Sequence, residues 1–190
     1  FRSIRLEQQR IRKIEIAMRD FKESTIETHY NVTIKSVPGC KILSLRKTVA
    51  DYYCEGRLWE QLYAFVREEQ VKLRPGINNL AIYHNGGTTE DGVDIEVGVM
   101  VEREGADKGG FCYRETEPVE DMACIMVYGP YENIGLSYHA FACWMEEHRQ
   151  YEIAGPSRQI CHIGSWDESD SQKFLTEVQT PVRRILTLTP

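Results

Sequence analysis

Two glutamates, Glu96 and Glu177, occupy matching positions in two strand-like segments of the chain, each directly before a valine. Around Glu96, apolar residues recur at every second position from 93 to 101. This period of two predicts a strand with one apolar face and one face that carries the carboxylate. A single acidic residue on a strand is usually solvated, but two at matching positions predict a shared site. Such carboxylates could neutralise a cationic ligand or act as a general acid or base.

The predicted site is a cleft on the sheet face that carries the two glutamates. Aromatic side chains at strand ends and in loops, such as Tyr128 and Trp166, are expected to form its walls, because aromatic faces attract lipophilic cations. If the strand after each helix has the matching phase, Tyr83, Gln159 and Cys161 lie on the same face. The predicted ligand-binding residues are Glu96, Glu177, Tyr83, Gln159, Tyr128, Trp166, Met100 and Cys161.

Several other kinds of site have no signature in this sequence. The five histidines show no metal-ligand spacing with one another or with cysteine. No glycine-rich phosphate loop leads into a helix, and no nucleophile elbow or Cys-His signature stands out. The sequence therefore predicts no metal site, no cofactor and no catalytic residues of these kinds.

The composition is that of an ordinary globular protein of 190 residues with a formal net charge of -6. Because phosphate binding needs clustered lysine and arginine, this charge argues against a nucleic-acid surface across the whole chain. The six cysteines lack a Cys-x-x-Cys pair, which favours reduced thiols in a cytoplasmic protein over a disulfide framework. No apolar run approaches the roughly 20 residues that span a membrane, so no membrane partner is predicted.

The elements that must position the site occur twice in the same order. In the first half, strands at 32–37 and 41–46 form a predicted hairpin across Pro38 and Gly39, a helix follows from about 55 to 72, and strands lie at 80–84 and 93–101. In the second half, the same order comprises strands at 111–117 and 122–128, a helix at 132–148, and strands at 158–163 and 174–182. Residues 63–65 match 139–141, 76 positions later, and Glu177 follows Glu96 by 81.

These patterns predict an α+β fold, in which a tandem duplication of strand-strand-helix-strand-strand units forms one antiparallel sheet. Two helices cover one face of the sheet, and the ligand cleft is expected on the other. The predicted domains are a linker or dimerisation helix at 1–24 and a domain at 30–190 that carries the cleft, with pseudo-repeats at 30–102 and 111–182. Ile4, Ile11 and Met18 are spaced as in a heptad seam, although a lone helix packed on its own domain is the alternative. Because residue 1 is Phe, the chain is expected to be part of a longer protein.

Five motifs in order carry a resemblance to a known family. They are Asp94-Ile95-Glu96-Val97-Gly98-Val99, Gly129-Pro130-Tyr131-Glu132, Trp144-Met145-Glu146-Glu147, Gly155-Pro156-Ser157-Arg158-Gln159 and Thr176-Glu177-Val178-Gln179-Thr180-Pro181-Val182. From about Tyr30 to Val182 the chain resembles the GyrI-like effector-binding domain, the ligand-sensing module of many AraC- and MerR-type bacterial transcription regulators. The helix at 1–24 resembles the dimerisation helix that follows the winged DNA-binding domain in MerR-type activators.

The resemblance implies a duplicated α+β fold whose cleft binds drugs or other organic, often cationic, ligands. It also implies a homodimer in the full-length protein and DNA contact only through a missing N-terminal domain. Many family members have a glutamate after Gly-Pro-x-Arg, where this chain has Gln159. A neutral amide cannot neutralise a cation, so Glu96 or Glu177 would have to supply the charge.

Three functions follow as hypotheses. The first is a non-enzymatic small-molecule sensor domain of a MerR-type transcription regulator, which the heptad helix favours. The second is a cleft hydrolase that acts on small reactive organic compounds, as the resemblance implies for family members that use a glutamate and a tyrosine. Glu96, Glu177 and Tyr83 are the candidates for that role. The third is a stand-alone protein-binding module of the gyrase-inhibitor kind.

Overall fold

The structure, a computed structural model, describes residues 30–76, 79–84 and 92–185. The helix predicted at 1–24 lies outside these residues. The described part contains the following strands and helices: β1 Thr33–Val37, β2 Lys41–Val49, α1 Glu55–Glu68, β3 Asn79–Tyr83, β4 Val93–Met100, β5 Phe111–Glu115, β6 Val119–Tyr128, α2 Ile134–Glu147, β7 Tyr151–Ile153, β8 Ser157–Ile163 and β9 Leu175–Arg184.

The strands form one antiparallel sheet in the order β1-β6-β9-β8-β3-β4-β2-β5, with β7 paired to β9. The two halves of the chain meet where β3 pairs with β8, with Ala81 opposite Gln159. The predicted α+β class, with a single antiparallel sheet and two helices on one face, is confirmed. The seam between β3 and β8 is therefore the place where a site shared by both halves can form.

The predicted hairpin of β1 and β2 is wrong. β1 pairs with β6, where Ile34 lies opposite Ala123, whereas both edges of β2 are occupied by β4 and β5. The turn residues between β1 and β2 mark a change of direction, but they do not specify which strand becomes the partner. Each half thus gives its first strand to the other half, because β1 joins the second half and β5 joins the first.

The helices cover one face of the sheet, which we call the helix face. In α1, Leu58, Leu62 and Phe65 are buried against β2, β3 and β4, and each apolar side chain of this size contributes about 2 kcal/mol when it leaves water. In α2, Phe141 packs over β6 and β9. The helix predicted to reach residue 72 ends at Glu68, because Gln70 adopts a left-handed φ of 51°.

The other face, which we call the reverse face, carries a smaller apolar cluster of Ile42, Leu80 and Ile82. Buried polar residues surround this cluster, including both glutamates of the sequence prediction, Glu96 and Glu177. The two faces of the sheet therefore differ in chemistry. One is an apolar core under the helices, and the other mixes apolar and charged side chains.

Candidate functional site

The phase of β3 and β8 divides the predicted site between the two faces. Ala81 and Tyr83 pack in the core under α1, and Ile82 belongs to the reverse face. Glu96 lies opposite Ile82 in the register of β3 and β4, and residues directly opposite each other share a face. The expectation that Tyr83, Gln159 and Cys161 share a face with the glutamates is wrong. Because all five residues of β3 are buried, alternation of burial could not reveal the phase.

Tyr83, Gln159, Cys161 and Trp166 lie on the helix side. Gln159 is opposite Ala81, Cys161 is opposite Asn79, and Trp166 follows β8 and contacts α1. Glu96, Glu177, Met100 and Tyr128 lie on the reverse face, since Met100 packs on its apolar cluster and Tyr128 alternates with Val127 of the helix face. The structure brings the members of each group of four to the same face, but it does not bring the two groups together.

On the helix side, aromatic residues of both halves form a cluster over the seam. The ring of Trp166 lies 6.2 Å from Trp59 and 6.5 Å from Tyr63, both of α1. Tyr52 packs at 5.6 Å from Tyr83. Trp166 is 46% exposed and Tyr52 is 45% exposed, so the cluster opens to solvent. We call this region the aromatic cleft, formed by Tyr52, Glu55, Trp59, Tyr63, Tyr83, Tyr138, Gln159, Cys161 and Trp166.

Glu55 places a carboxylate within the aromatic cleft. Its Oε1 accepts a hydrogen bond of 2.9 Å from Nε1 of Trp59, and its Oε2 accepts one of 2.8 Å from the hydroxyl of Tyr83. Glu55 is the first residue of α1, where the helix dipole favours a negative charge. The carboxylate is thus held in position by two neutral donors.

The floor of the cleft lies at the seam. The amide Nε2 of Gln159 donates to the hydroxyl of Tyr138 at 3.3 Å, and that hydroxyl lies 3.2 Å from Oγ of Ser157. The hydroxyl of Tyr131 lies 4.0 Å from Sγ of Cys161 at one side. Gln159 thus presents a neutral amide at the floor of the cleft.

Burial keeps the ionisable side chains of the floor neutral. Burial, and secondly the carboxylate of Glu55, raise the pKa of Tyr83 well above its ordinary value of 10.0. Burial raises the pKa of Cys161 to about 11. Neither group ionises near pH 7. The negative charge of the cleft therefore comes from Glu55, with Asp167 near its rim close enough to influence Tyr63 and Cys161.

The sequence prediction missed Glu55, and it did not assign Trp59, Tyr63 or Tyr138 to the site. A signal for the first three exists, because Glu55, Trp59 and Tyr63 follow one another at intervals of four. This spacing places them on one side of a helix, beside the apolar stripe that begins at Leu58. The side of α1 that carries Glu55, Trp59 and Tyr63 therefore lies next to the side that packs in the core.

On the reverse face, Glu96 is 3% exposed and already has a cationic partner. Nε and Nη2 of Arg114 each donate to it at 2.7 Å, and Nε2 of His84 lies 2.8 Å away. Burial acts to raise its pKa, but hydrogen bonds from Arg114, Ser44 and His84 outweigh burial and lower the pKa to about 2. Glu96 is therefore ionised, and Arg114 balances its charge within a buried cluster.

Glu177 has the same surroundings in the second half. It is 1% exposed and forms an ion pair with Lys35. Nε2 of His162 lies 2.8 Å from its Oε2, and Nε2 of Gln179 donates to its Oε1 at 3.0 Å. Each predicted glutamate thus has a histidine and a basic residue as partners.

The described residues contain neither a metal-binding cluster nor a membrane-spanning helix. Within 30–76, 79–84 and 92–185, no group of histidine, cysteine and acidic side chains could hold a metal ion. In that part of the chain, no helix is both long and apolar enough to cross a membrane.

Solved structures share this fold. The crystal structure of the EcmrR C-terminal domain is 22% identical, with a TM-score of 0.70 over 82% of this chain and 99% of that chain. A chain of the EcmrR-DNA complex, solved by cryo-EM, is 22% identical, with a TM-score of 0.77 over 97% of this chain and 68% of that chain. SAV2435 bound to tetraphenylphosphonium is 13% identical, with a TM-score of 0.55 over 80% of this chain and 94% of that chain.

The sequence itself shows the family. No curated protein sequence matches the chain significantly. The GyrI-like small molecule binding domain matches residues 30–183, which include every strand of the sheet except the last residue of β9. The chain therefore belongs to the family of GyrI-like small molecule binding domains.

Proposed function

We propose that this domain is the effector sensor of a MerR-type transcription regulator and that it binds an aromatic organic cation in the aromatic cleft. The observation that carries the proposal is the carboxylate of Glu55 inside a solvent-open cluster of aromatic rings. Aromatic faces attract cations, most strongly where water is excluded. The cleft therefore offers a cation both a charge and walls.

The charge of Glu55 differs from that of the predicted glutamates in one respect. In the described part of the chain, no lysine or arginine pairs with Glu55. Glu96 and Glu177 are neutralised by Arg114 and Lys35. A buried carboxylate that already has a cation gains little from a second one, whereas Glu55 has its charge left for a ligand. We therefore assign the charge to Glu55, although the sequence suggested the other two.

The regulator role is supported by the likeness to EcmrR, which has been solved in complex with DNA. This sequence covers 68% of the EcmrR chain in that complex. We assign DNA contact to a part of the full-length protein that corresponds to the remaining third of EcmrR. We propose that residues 1–24 form a linker helix through which two copies of the full-length protein dimerise. We also propose that the protein acts in the cytoplasm. Ligand binding would change the DNA reader only if the ligand had different affinities for two conformations.

Calorimetry with tetraphenylphosphonium tests the proposal, with triphenylphosphine oxide as an uncharged analogue of similar shape. We expect the cation to bind more tightly than the oxide. Trp59→Ala should weaken binding of the cation. Trp144→Phe is the control, because Trp144 of α2 packs against His148 and Tyr151, and it should leave binding unchanged. Equal affinity for both compounds would show that the charge of the ligand does not contribute to binding. Absence of binding by either compound would contradict an aromatic-cation site.

One contact supports the alternative of a cleft hydrolase. The hydroxyl of Tyr83 donates to Oε2 of Glu55 at 2.8 Å, so a glutamate and a tyrosine do meet in the cleft. Such a pair could position a water molecule and donate a proton to a leaving group. Tyr83→Phe distinguishes the two functions. A hydrolase would lose turnover of a reactive electrophile, whereas a sensor would keep its affinity within a few-fold.

A further inference from the structure

Arg158 is a buried arginine on the reverse face of β8 with unpaired nitrogens. Its side chain is 7% exposed, and it lies opposite Ile82 on one side and Gln179 on the other. Its Nε and Nη2 are buried and have no hydrogen-bond partner. Buried guanidinium donors almost always have partners, so this side chain calls for an explanation.

Two other arginines show what the same atoms of a guanidinium bind. Nε and Nη2 of Arg114 donate to the two carboxylate oxygens of Glu96 at 2.7 Å each. Nε and Nη2 of Arg46 donate to the two carboxylate oxygens of Asp94 at 2.9 and 2.6 Å. The planar pair of N–H groups on this edge matches a carboxylate in a bidentate manner. In Arg158, the equivalent edge is the one without a partner.

The charges of the reverse face also leave Arg158 unmatched. Glu96 is paired with Arg114 and Glu177 with Lys35, and in the described part of the chain no carboxylate forms an ion pair with Arg158. Arginine remains protonated in proteins, even when burial lowers its pKa as it does here. Arg158 is thus a buried cation that, in the described part of the chain, forms no ion pair of its own.

A second polar atom stands beside Arg158 and also lacks a partner. Oε1 of Gln179 is buried without a hydrogen bond, while its Nε2 is engaged by Glu177. Because Gln179 and Arg158 are directly opposite in register, their side chains start about 5 Å apart on the same face of the sheet. A ligand that contacts both must accept from the guanidinium and donate to the amide oxygen.

We propose that Arg158 and Gln179 form a binding site for a small organic acid that carries a hydroxyl beside its carboxylate. The carboxylate accepts from Nε and Nη2 of Arg158, and the hydroxyl donates to Oε1 of Gln179. Burial of both side chains limits the ligand to a small molecule. Because Gln159 is the next residue of β8 and faces the aromatic cleft, the two sites lie on opposite faces of the same strand.

Thermal unfolding of the 190-residue chain in glycolate, acetate or chloride, at equal pH and ionic strength, tests this site. We expect the transition midpoint to be highest in glycolate, lower in acetate and lowest in chloride. Titration should give a glycolate dissociation constant that rises about tenfold or more in Arg158→Met, as expected for the loss of a bidentate charge-assisted contact. Arg149→Met, which removes an exposed arginine, should keep the order of the three anions.

Arg158→Lys keeps the charge but loses the bidentate edge, so it remains informative if Arg158→Met does not fold. It should keep a general preference for anions and lose the advantage of glycolate and acetate over chloride. An ordered water molecule between Arg158 and Gln179 would satisfy the same atoms. In that case the three anions would act alike on the wild type and the Arg158 variants, and the proposal would be overturned.

Discussion

The two faces of the sheet differ in how far they follow the duplication of the chain. On the reverse face, Glu96 lies opposite Ile82 and Glu177 lies opposite Ile160. His84 and His162 contact the two glutamates at the same distance of 2.8 Å. The cations also correspond, since Arg114 lies opposite Ile42 and Lys35 lies opposite Met122. The two glutamate clusters of the reverse face are therefore symmetric.

The helix face does not keep this symmetry. The two helices begin 79 residues apart (134 − 55 = 79), rather than the 76 that the sequence match predicts. This offset matches Trp59 with Tyr138, both of which border the aromatic cleft. It matches Glu55 with Ile134, so α2 supplies no carboxylate at the position where α1 supplies Glu55. The paired charges of the reverse face thus recur in both halves, whereas on the helix face the carboxylate of Glu55 has no counterpart on α2 and is left for the proposed cation.

The largest expected effect tests the structural role of the symmetric face. Lys35→Met leaves Glu177, which is 1% exposed, without its cation. We expect a loss of about 4 kcal/mol in the free energy of unfolding, because an uncompensated buried charge is costly. Urea unfolding measures it. Lys41→Met is the matched control, since Lys41 and its partner Glu104 are about half exposed, and should cost about 1 kcal/mol or less. Equal effects of the two variants would show that His162 and Gln179 suffice for Glu177.

The pH dependence of stability tests the other half of the same face. The folded-state pKa of Glu96 is lowered to about 2 from an ordinary value of 4.5. A lowered pKa stabilises the fold above the unfolded-state value, and this stabilisation is lost as the pH falls from about 4.5 toward 2. It amounts to about 3 kcal/mol at most. Glu96→Gln removes the titrating group, so its unfolding free energy should fall less than that of the wild type between about pH 6 and pH 3. If the unfolding free energies of Glu96→Gln and the wild type fell equally with pH, Glu96 would not have a lowered pKa in the folded state.

The sequence contained enough information for eight of the nine described strands, both described helices and the correspondence of Glu96 with Glu177, because these depend on local periodicity, but the three-residue strand β7 was not predicted. The cations of the reverse face could not be predicted, since Lys35 and Arg114 reach the glutamates on strands exchanged between the halves. The phase of β3 was hidden because its two faces are both buried. Glu55 was overlooked because a glutamate at a helix start is expected from capping preferences alone. The missing information is in each case a long-range contact.

The asymmetric face is tested by Glu55→Gln, which keeps the shape of the side chain and removes its charge. We expect tetraphenylphosphonium to bind about 30-fold more weakly, as a charged partner is worth about 2 kcal/mol. The affinity for triphenylphosphine oxide should stay unchanged, and the unfolding free energy should fall by about 1 kcal/mol or less. Calorimetry provides both affinities. Glu60→Gln, at an exposed position of the same helix, is the control and should behave as the wild type. A comparable loss in Glu60→Gln would assign the effect to the net charge of the domain.

Gln159→Glu should have the smallest effect, and it tests whether the second half can acquire a charge of its own. A carboxylate at this position can accept from the hydroxyl of Tyr138, which now accepts from Gln159, so the fold should tolerate it. We expect tetraphenylphosphonium to bind about fivefold more tightly, since a second carboxylate adds about 1 kcal/mol across a partly solvated cleft. In the background of Glu55→Gln, the same change should recover part of the lost affinity, because the new carboxylate then supplies the charge for the bound cation. If calorimetry shows neither tighter binding in the wild-type background nor recovery in the Glu55→Gln background, residue 159 does not face the ligand. The cation is then held by the α1 side of the cleft alone.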